Sequence, residues 1–420
     1  MVKNKKLIVG WHYVRTCIRW CMYSIATGIA CGLVGSGLYY LVVQANEVRM
    51  ANPWLIYLLP IAGLIIVRFY IMLDLAEDRG PDLIFDSIRE ENHVPIQVIV
   101  TSMISTVITH LFGGSSGRVG AALQIGGGVS SGLSKYFKLD SRDRSLFIMC
   151  GMGGLVSVLF GTPLAAAFLA MEVISIGVIY YAAFLPCIVT SITAFIVSEY
   201  LGVASMRFEI PTLSAKTGMN FVKVGILAVG CAVVSILFCI AIKQLNVFLT
   251  KWCPNRYIRV VLGAVAVVVL TVLVKEQVYN GSGNALLNSA LGGETVKPYD
   301  FVLKLIFTAI TLACGFKGGG IFPAFIVGAT FGSFVGPYIG LSPSFAGAIG
   351  MVSVFCGAVN CPIASVLLSV EVFGGESVIF FAIACAISFV LSGYSTLFPG
   401  QEFIYSKIRM EYKASGLRED

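Results

Sequence analysis

Charge is what this chain has least of: 12% of its 420 residues are Asp, Glu, Lys or Arg, while 57% are hydrophobic. A water-soluble globule carries about 25% charged residues, so the composition excludes that class and points to an integral membrane protein. Histidine is nearly missing, with three residues and no H-E-x-x-H, which removes the zinc-protease arrangement. The 12 cysteines are scattered, mostly through apolar segments, without paired spacing, and read as small buried hydrophobes rather than disulfide partners or metal ligands. Low-complexity tracts are absent, and nothing calls for a cofactor. An enzyme or receptor reading has little to rest on.

What is present is apolar sequence in blocks: 21–45, 54–73, 96–112, 144–160, 163–200, 219–245, 257–274, 301–314, 324–357 and 361–397. Several are shorter than the ~20 residues that span a bilayer, so partial and re-entrant helices are expected among full crossings. Before the first block, Lys3, Lys5, Lys6, His12, Arg15 and Arg19 interrupt the sequence and no small-residue cleavage site follows. Residues 1–20 therefore read as an amphipathic segment on the membrane surface, not as a leader. Lys407, Arg409, Lys413 and Arg418 crowd the other end. The positive-inside rule then places both termini in the cytoplasm of a multi-pass cell-membrane protein with an even number of crossings. Of the net charge of +7, residues 1–20 carry +5, which suits lipid headgroups rather than nucleic acid.

Two glycine-rich runs break the apolar sequence: Gly113 to Gly120 (G-G-S-S-G-R-V-G) and Gly315 to Pro323 (G-F-K-G-G-G-I-F-P). Forty-odd residues after each comes a proline helix, Pro163–Glu172 in the first half and Pro362–Glu371 in the second, with the glutamate nine positions after the proline in both. Matching breaks in two halves are the sign of a transporter or channel built from a repeat, with its substrate site at the breaks. The division expected is a surface segment 1–20, a first membrane half 21–203, a linker 204–218, a second half 219–400, and a C-terminal helix and tail 401–420. The loop 275–300, with Asn280-Gly281-Ser282-Gly283-Asn284, is the longest polar excursion and is expected in water.

The breaks carry the chemistry. A helix that starts inside the membrane has N–H groups without carbonyl partners and about half a positive charge at its first turn, which makes an anion site. Glycine lets that backbone come close to the ion. Glycine also recurs in membrane helices simply because it lets them pack; the matched spacing favours the site.

At these residues the chain resembles the CLC family of chloride channels and anion/proton exchangers. The family's G-R-E-G followed by Q-I-G-G corresponds to Gly117-Arg118-Val119-Gly120 and Gln124-Ile125-Gly126-Gly127, and its G-G-x-F-x-P is close to Gly319-Gly320-Ile321-Phe322-Pro323. Thr162-Pro163-Leu164-Ala165 resembles the family's proline helix, and Tyr405 is similar in setting to a tyrosine that reaches the central anion. The resemblance implies an all-α polytopic fold of two inverted halves with tilted and partial helices, and a homodimer with one pore per subunit. It implies chloride or another small anion, fluoride included, as the substrate. The residues it assigns to the pore are Gly117, Arg118, Val119, Gly120, Gly320, Ile321, Phe322 and Tyr405, with Gly80 and Pro81 where chloride-selective members carry G-S-G-I-P.

Two departures shape the expected activity. Val119 stands at the gate position, where the family has a glutamate that blocks the pore when ionised and carries the exchanged proton. Val173 stands where exchangers often have a second, inner glutamate. With neither acid, passive anion transport is the first reading; a proton-coupled exchanger, of the fluoride-exporting branch for example, is the alternative. Glu172 is either an intramembrane proton station or, because Glu371 repeats it, a structural cap. His110 either titrates or packs, Lys317 either attracts anions or snorkels, and Tyr405 has an interfacial aromatic reading beside its pore reading.

Overall fold

The computed structural model describes residues 2–75, 79–210, 215–294, 296–409, 411 and 412. Among them are sixteen α-helices: α1 (Val2–Ala51), α2 (Leu59–Met72), α3 (Pro81–Arg89), α4 (Gln97–Leu111), α5 (Val119–Tyr136), α6 (Ser141–Phe160), α7 (Pro163–Glu172) and α8 (Phe184–Tyr200), then α9 (Gly218–Trp252), α10 (Arg256–Val274), α11 (Asn284–Gly292), α12 (Asp300–Ala313), α13 (Ile321–Val335), α14 (Pro343–Val359), α15 (Pro362–Phe373) and α16 (Val378–Leu391). The second eight repeat the first in order: a long helix, a medium one, a nine-residue one, and so on to α8 and α16. Among the described residues seven helices are long and apolar enough to cross a bilayer, and five apolar helices are shorter.

Local chemistry explains the boundaries. Asp140 caps α6 by accepting the Asp143 N–H at 2.8 Å, and Gly161 ends it in the left-handed conformation. Asn255 accepts the Tyr257 and Ile258 N–H groups at the start of α10. Proline opens α3, α7, α14 and α15 at a position whose N–H would be unpaired anyway.

Packing between helices in lipid relies on close backbone approach more than on expulsion of water. A Cβ on Gly126 of α5 would lie 2.1 Å from the Gly151 carbonyl oxygen of α6, and one on Gly328 of α13 would lie 2.3 Å from that of Gly350 on α14. The same glycine-to-glycine crossing is thus built twice. The helices α6 and α13 lie in the most enclosed of the candidate spans, at 83% and 72% buried.

Three sequence expectations change. Residues 2–51 form one continuous helix, whose stretch long and apolar enough to cross a bilayer begins at Val14, so no break in the helix marks the expected boundary at residue 20. Residues 401–409 are not helical. Glu402–Phe403 (β2) pairs in parallel with Ser175–Ile176 (β1), the N–H of Ile404 donating to the Ile176 carbonyl at 3.1 Å, and this pairing holds the segment extended. Residues 413–420 of the expected tail lie outside the described residues. Finally, residues 279–281 and Gly283 are buried rather than in water, because this turn closes over a buried lysine described below.

Candidate anion site at the paired helix starts

The two glycine runs meet. Gly117 N–H donates to the Gly319 carbonyl at 2.7 Å, and the two residues form an antiparallel bridge. A Cβ on Gly120 would lie 2.4 Å from the Gly318 carbonyl oxygen, and one on Gly319 would lie 2.5 Å from the Gly120 nitrogen. Each run enters through a glycine at positive φ, Gly113 at 84° and Gly315 at 105°, a region that side chains rarely adopt. Each exits into a helix, α5 at Val119 and α13 at Ile321.

The first N–H groups of α5, those of Val119, Gly120 and Ala121, have no acceptor within their own helix, since the first helical bond is from Ala122 to the Arg118 carbonyl. On α13 the corresponding groups are those of Ile321 and Phe322, because Pro323 has no N–H. Both positive helix ends therefore lie at one backbone crossing, an arrangement suited to holding an anion by dipoles rather than by a full counter-charge.

The side chains around the crossing are apolar. Val119 and Ile321 are fully buried and Phe322 nearly so. Phe322 packs edge-on against Phe325, whose ring meets Phe160 and Phe355. Beyond these rings Phe160 and Phe355 line a small cavity with Val156, Ala165, Leu169 and Leu368, and with Thr162, whose buried hydroxyl has no partner among the described residues.

The structure does not gather every expected residue at the crossing. The Arg118 guanidinium donates to the Leu159 carbonyl at 3.3 Å and lies 4.8 Å over the Tyr39 ring. Gly80 and Pro81 start α3, which packs on α5 and α6 and is tied to the C-terminal segment by Arg89, donating to the Gly400 carbonyl at 2.6 Å. Arg79 is exposed, and Asp78 lies outside the described residues. Tyr405 sits against Gly177, edge-on to Tyr412 and 43% exposed. Lys317 places its ammonium 4.2 Å over the Tyr70 ring.

The paired acids have structural partners. Glu172 accepts the N–H groups of Ile363 and Ala364 at the start of α15, at 3.3 and 2.9 Å. Glu371 accepts those of Leu164 and Ala165 at the start of α7, at 2.9 and 2.8 Å. Each acid thus caps the helix that the other ends, which the repetition of the motif had suggested. The inner position, Val173, is fully buried, and its carbonyl accepts from Gln401 at 2.9 Å.

Sequence reading passed over Gln401, Arg49 and Lys304. The last was legible as a lone lysine in the apolar stretch 301–314, since an ionisable residue inside a membrane segment marks function by default. It also passed over the G-x-S-x-G spacing in Gly113–Gly117. That spacing belongs to a hydrolase elbow between a strand and a helix; here it follows helix α4, and Ser115 is fully buried with its hydroxyl 3.1 Å from that of Thr308.

Comparison with known proteins agrees with this architecture. The family model described as voltage gated chloride channel matches residues 70–393. A chloride/fluoride channel protein from Pseudomonas syringae pv. tomato is 32% identical over 374 residues, covering 87% of this chain and 82% of its own. An uncharacterized protein from Methanocaldococcus jannaschii is 24% identical over 290 residues, 68% of this chain and 72% of its own. Among solved structures, a CLC-type fluoride/proton antiporter superposes with a TM-score of 0.88 at 30% identity, over 92% of this chain and 98% of that one. A slow cyanobacterial Cl-/H+ antiporter superposes with a TM-score of 0.76 at 18% identity, over 89% and 94%, and shares the fold. With two inverted sets of eight helices meeting at their glycine breaks, and a family model matching across both, this chain belongs to the voltage gated chloride channel, or CLC, family of anion transporters.

Proposed function

We propose that this protein carries small anions, chloride or fluoride, down their gradients through the glycine crossing without exchanging protons. The observation that carries the reading is Val119: fully buried at the first residue of α5, it puts a side chain that holds no proton where the family has its gating acid. The two acids closest in sequence to a proton role, Glu172 and Glu371, are engaged as helix caps. Fluoride stands beside chloride because a chloride/fluoride channel protein is 32% identical to this chain.

A second reading, proton-coupled fluoride antiport, is favoured by the 30% identity and 98% coverage shared with a fluoride/proton antiporter. Purified protein in liposomes separates the two. With a chloride or fluoride gradient imposed, passive transport gives anion efflux with no uphill proton movement; proton movement driven by the anion gradient would establish antiport instead.

The same proposal takes the protein as a homodimer with one path per subunit, set in the cell membrane with both ends of the chain in the cytoplasm. It divides each subunit into repeat halves over 21–203 and 219–400. Chemical crosslinking in membranes and cysteine accessibility at each terminus test these points.

A further inference from the structure

Beside the first glycine run lies a group of buried cations with no acid among its partners. Lys304 of α12 is fully buried, and its ammonium donates to the Ser115 hydroxyl at 3.0 Å, the Tyr279 carbonyl at 3.0 Å and the Gly281 carbonyl at 3.1 Å. All three N–H bonds of an ammonium are used, on neutral oxygens alone. Arg49, near the end of α1, is 6% exposed and its Nε has no partner among the described residues. Its guanidinium lies against Gly281, where a Cβ would come within 3.0 Å of Nη2, and its Cδ is 3.5 Å from where a Cβ on Gly113 would be. His110 of α4 is fully buried in the same region, its Nδ1 3.4 Å from the amide nitrogen of Asn46. Among the described residues neither Arg49 nor Lys304 forms an ion pair. Asp300, one turn before Lys304, is taken by the Tyr279 hydroxyl at 2.5 Å and the Lys297 N–H at 2.8 Å.

The turn 279–283 closes this group. Gly281 and Gly283 have φ of 60° and 80°, and a Cβ on Gly283 would lie 2.9 Å from the Lys304 ammonium. Asn280 donates to the Gly113 carbonyl at 3.0 Å and so ties the turn to the first run. Lys304, through Ser115, and Arg49, through Gly113, thus both abut the backbone that delivers Gly117 to the crossing.

Buried charge without a counter-charge costs several kcal/mol per ion and persists where something repays it. We infer that Lys304 and Arg49 are a positive pair whose counter-ion is the anion in transit at the crossing, so that they set how tightly the path holds it. This rests on the proposed anion path through the glycine runs. The pair does not touch the crossing itself; it acts through the field, which in a low-dielectric interior reaches about 10 Å with little screening.

The test is anion flux in liposomes against anion concentration, for the wild-type protein, Lys304→Gln, Lys304→Arg and Arg49→Gln. Lys304→Gln and Arg49→Gln each raise the half-saturating concentration about tenfold, the effect of one unit charge at roughly 10 Å, whereas Lys304→Arg stays within about threefold. A defect of packing alone would lower the amount of active protein without moving half-saturation. Unchanged half-saturation in the Gln variants overturns the inference; where Lys304→Gln gives no folded protein, Arg49→Gln decides. Absence of anion flux in the wild-type protein would instead refute the proposed path.

Discussion

Glu172 and Glu371 stand in a reciprocal relation: each ends one proline helix and neutralises the start of the other, so α7 and α15 run antiparallel with a carboxylate at both ends of the pair. The negative charges sit where two positive helix ends and two pairs of free N–H groups need them. This is a structural use of intramembrane acids, built twice by the same motif.

Replacing either acid with glutamine leaves one backbone N–H facing an amide that cannot accept from both. Glu172→Gln and Glu371→Gln should each lower stability by about 1–3 kcal/mol, read as a fall in thermal unfolding temperature in detergent. Anion flux per folded protein should stay within about twofold of wild type, the expectation for a cap away from the path. A change in proton movement for Glu172→Gln alone would mark it as a proton station.

Val119→Glu restores an acid at the gate position. The ionised carboxylate competes with the anion for the free N–H groups of α5, and the protonated form does not. Flux should therefore be slow near neutral pH and at least about tenfold faster in acid, because burial raises a carboxyl pKa toward the working range. Flux measured at several pH values checks this, and equal flux throughout would mean that Val119 lies off the path.

The backbone crossing makes a graded prediction for glycines of one helix. Gly120→Ala forces a methyl group to within 2.4 Å of the Gly318 carbonyl, and should cost about 1–3 kcal/mol and abolish flux. Gly132→Ala, also in α5, meets nothing within 4 Å; it should stabilise the protein by roughly 0.5–1 kcal/mol and leave flux unchanged. Thermal unfolding and liposome efflux for both variants make the comparison.

Gln401 is 5% exposed and donates at 2.9 Å to the carbonyls of both Val173 and Val359, the residues at or next to the ends of α7 and α14. Gln401→Leu leaves the Val173 carbonyl unmet and removes the acceptor of the Thr396 hydroxyl, while the Val359 carbonyl keeps the Cys361 thiol, and should destabilise by about 1–3 kcal/mol. Proteolysis of the C-terminal segment should quicken in step, since β2 loses its anchor to the core.

What could be read from the sequence was what repeats. Glycine and proline at matched spacing located both helix breaks, and the doubled acid pointed to paired caps, because those residue types are tied to backbone geometry wherever they occur. The turn at Asn280–Gly283 misled because a polar glycine-rich segment has the same composition whether it meets water or wraps a buried ammonium. The join at residue 20 was invisible as a continuous helix because charge along one stretch says where a helix sits, not where it ends. Tyr405 shows a third limit: its segment carries helix-compatible residues, and only the strand pairing of Glu402 and Phe403 with Ser175 and Ile176 holds it extended.

The bond from Gly117 to Gly319 joins two main chains. No point mutation can delete that donor without inserting proline, and none can make it titrate or oxidise. On the proposed path, changes in substrate preference or rate then fall to the side chains around this bond, Val119 and Phe322 among them. A directed-evolution library aimed at selectivity would therefore fix residues 117, 120, 318 and 319 and randomise the ring around them.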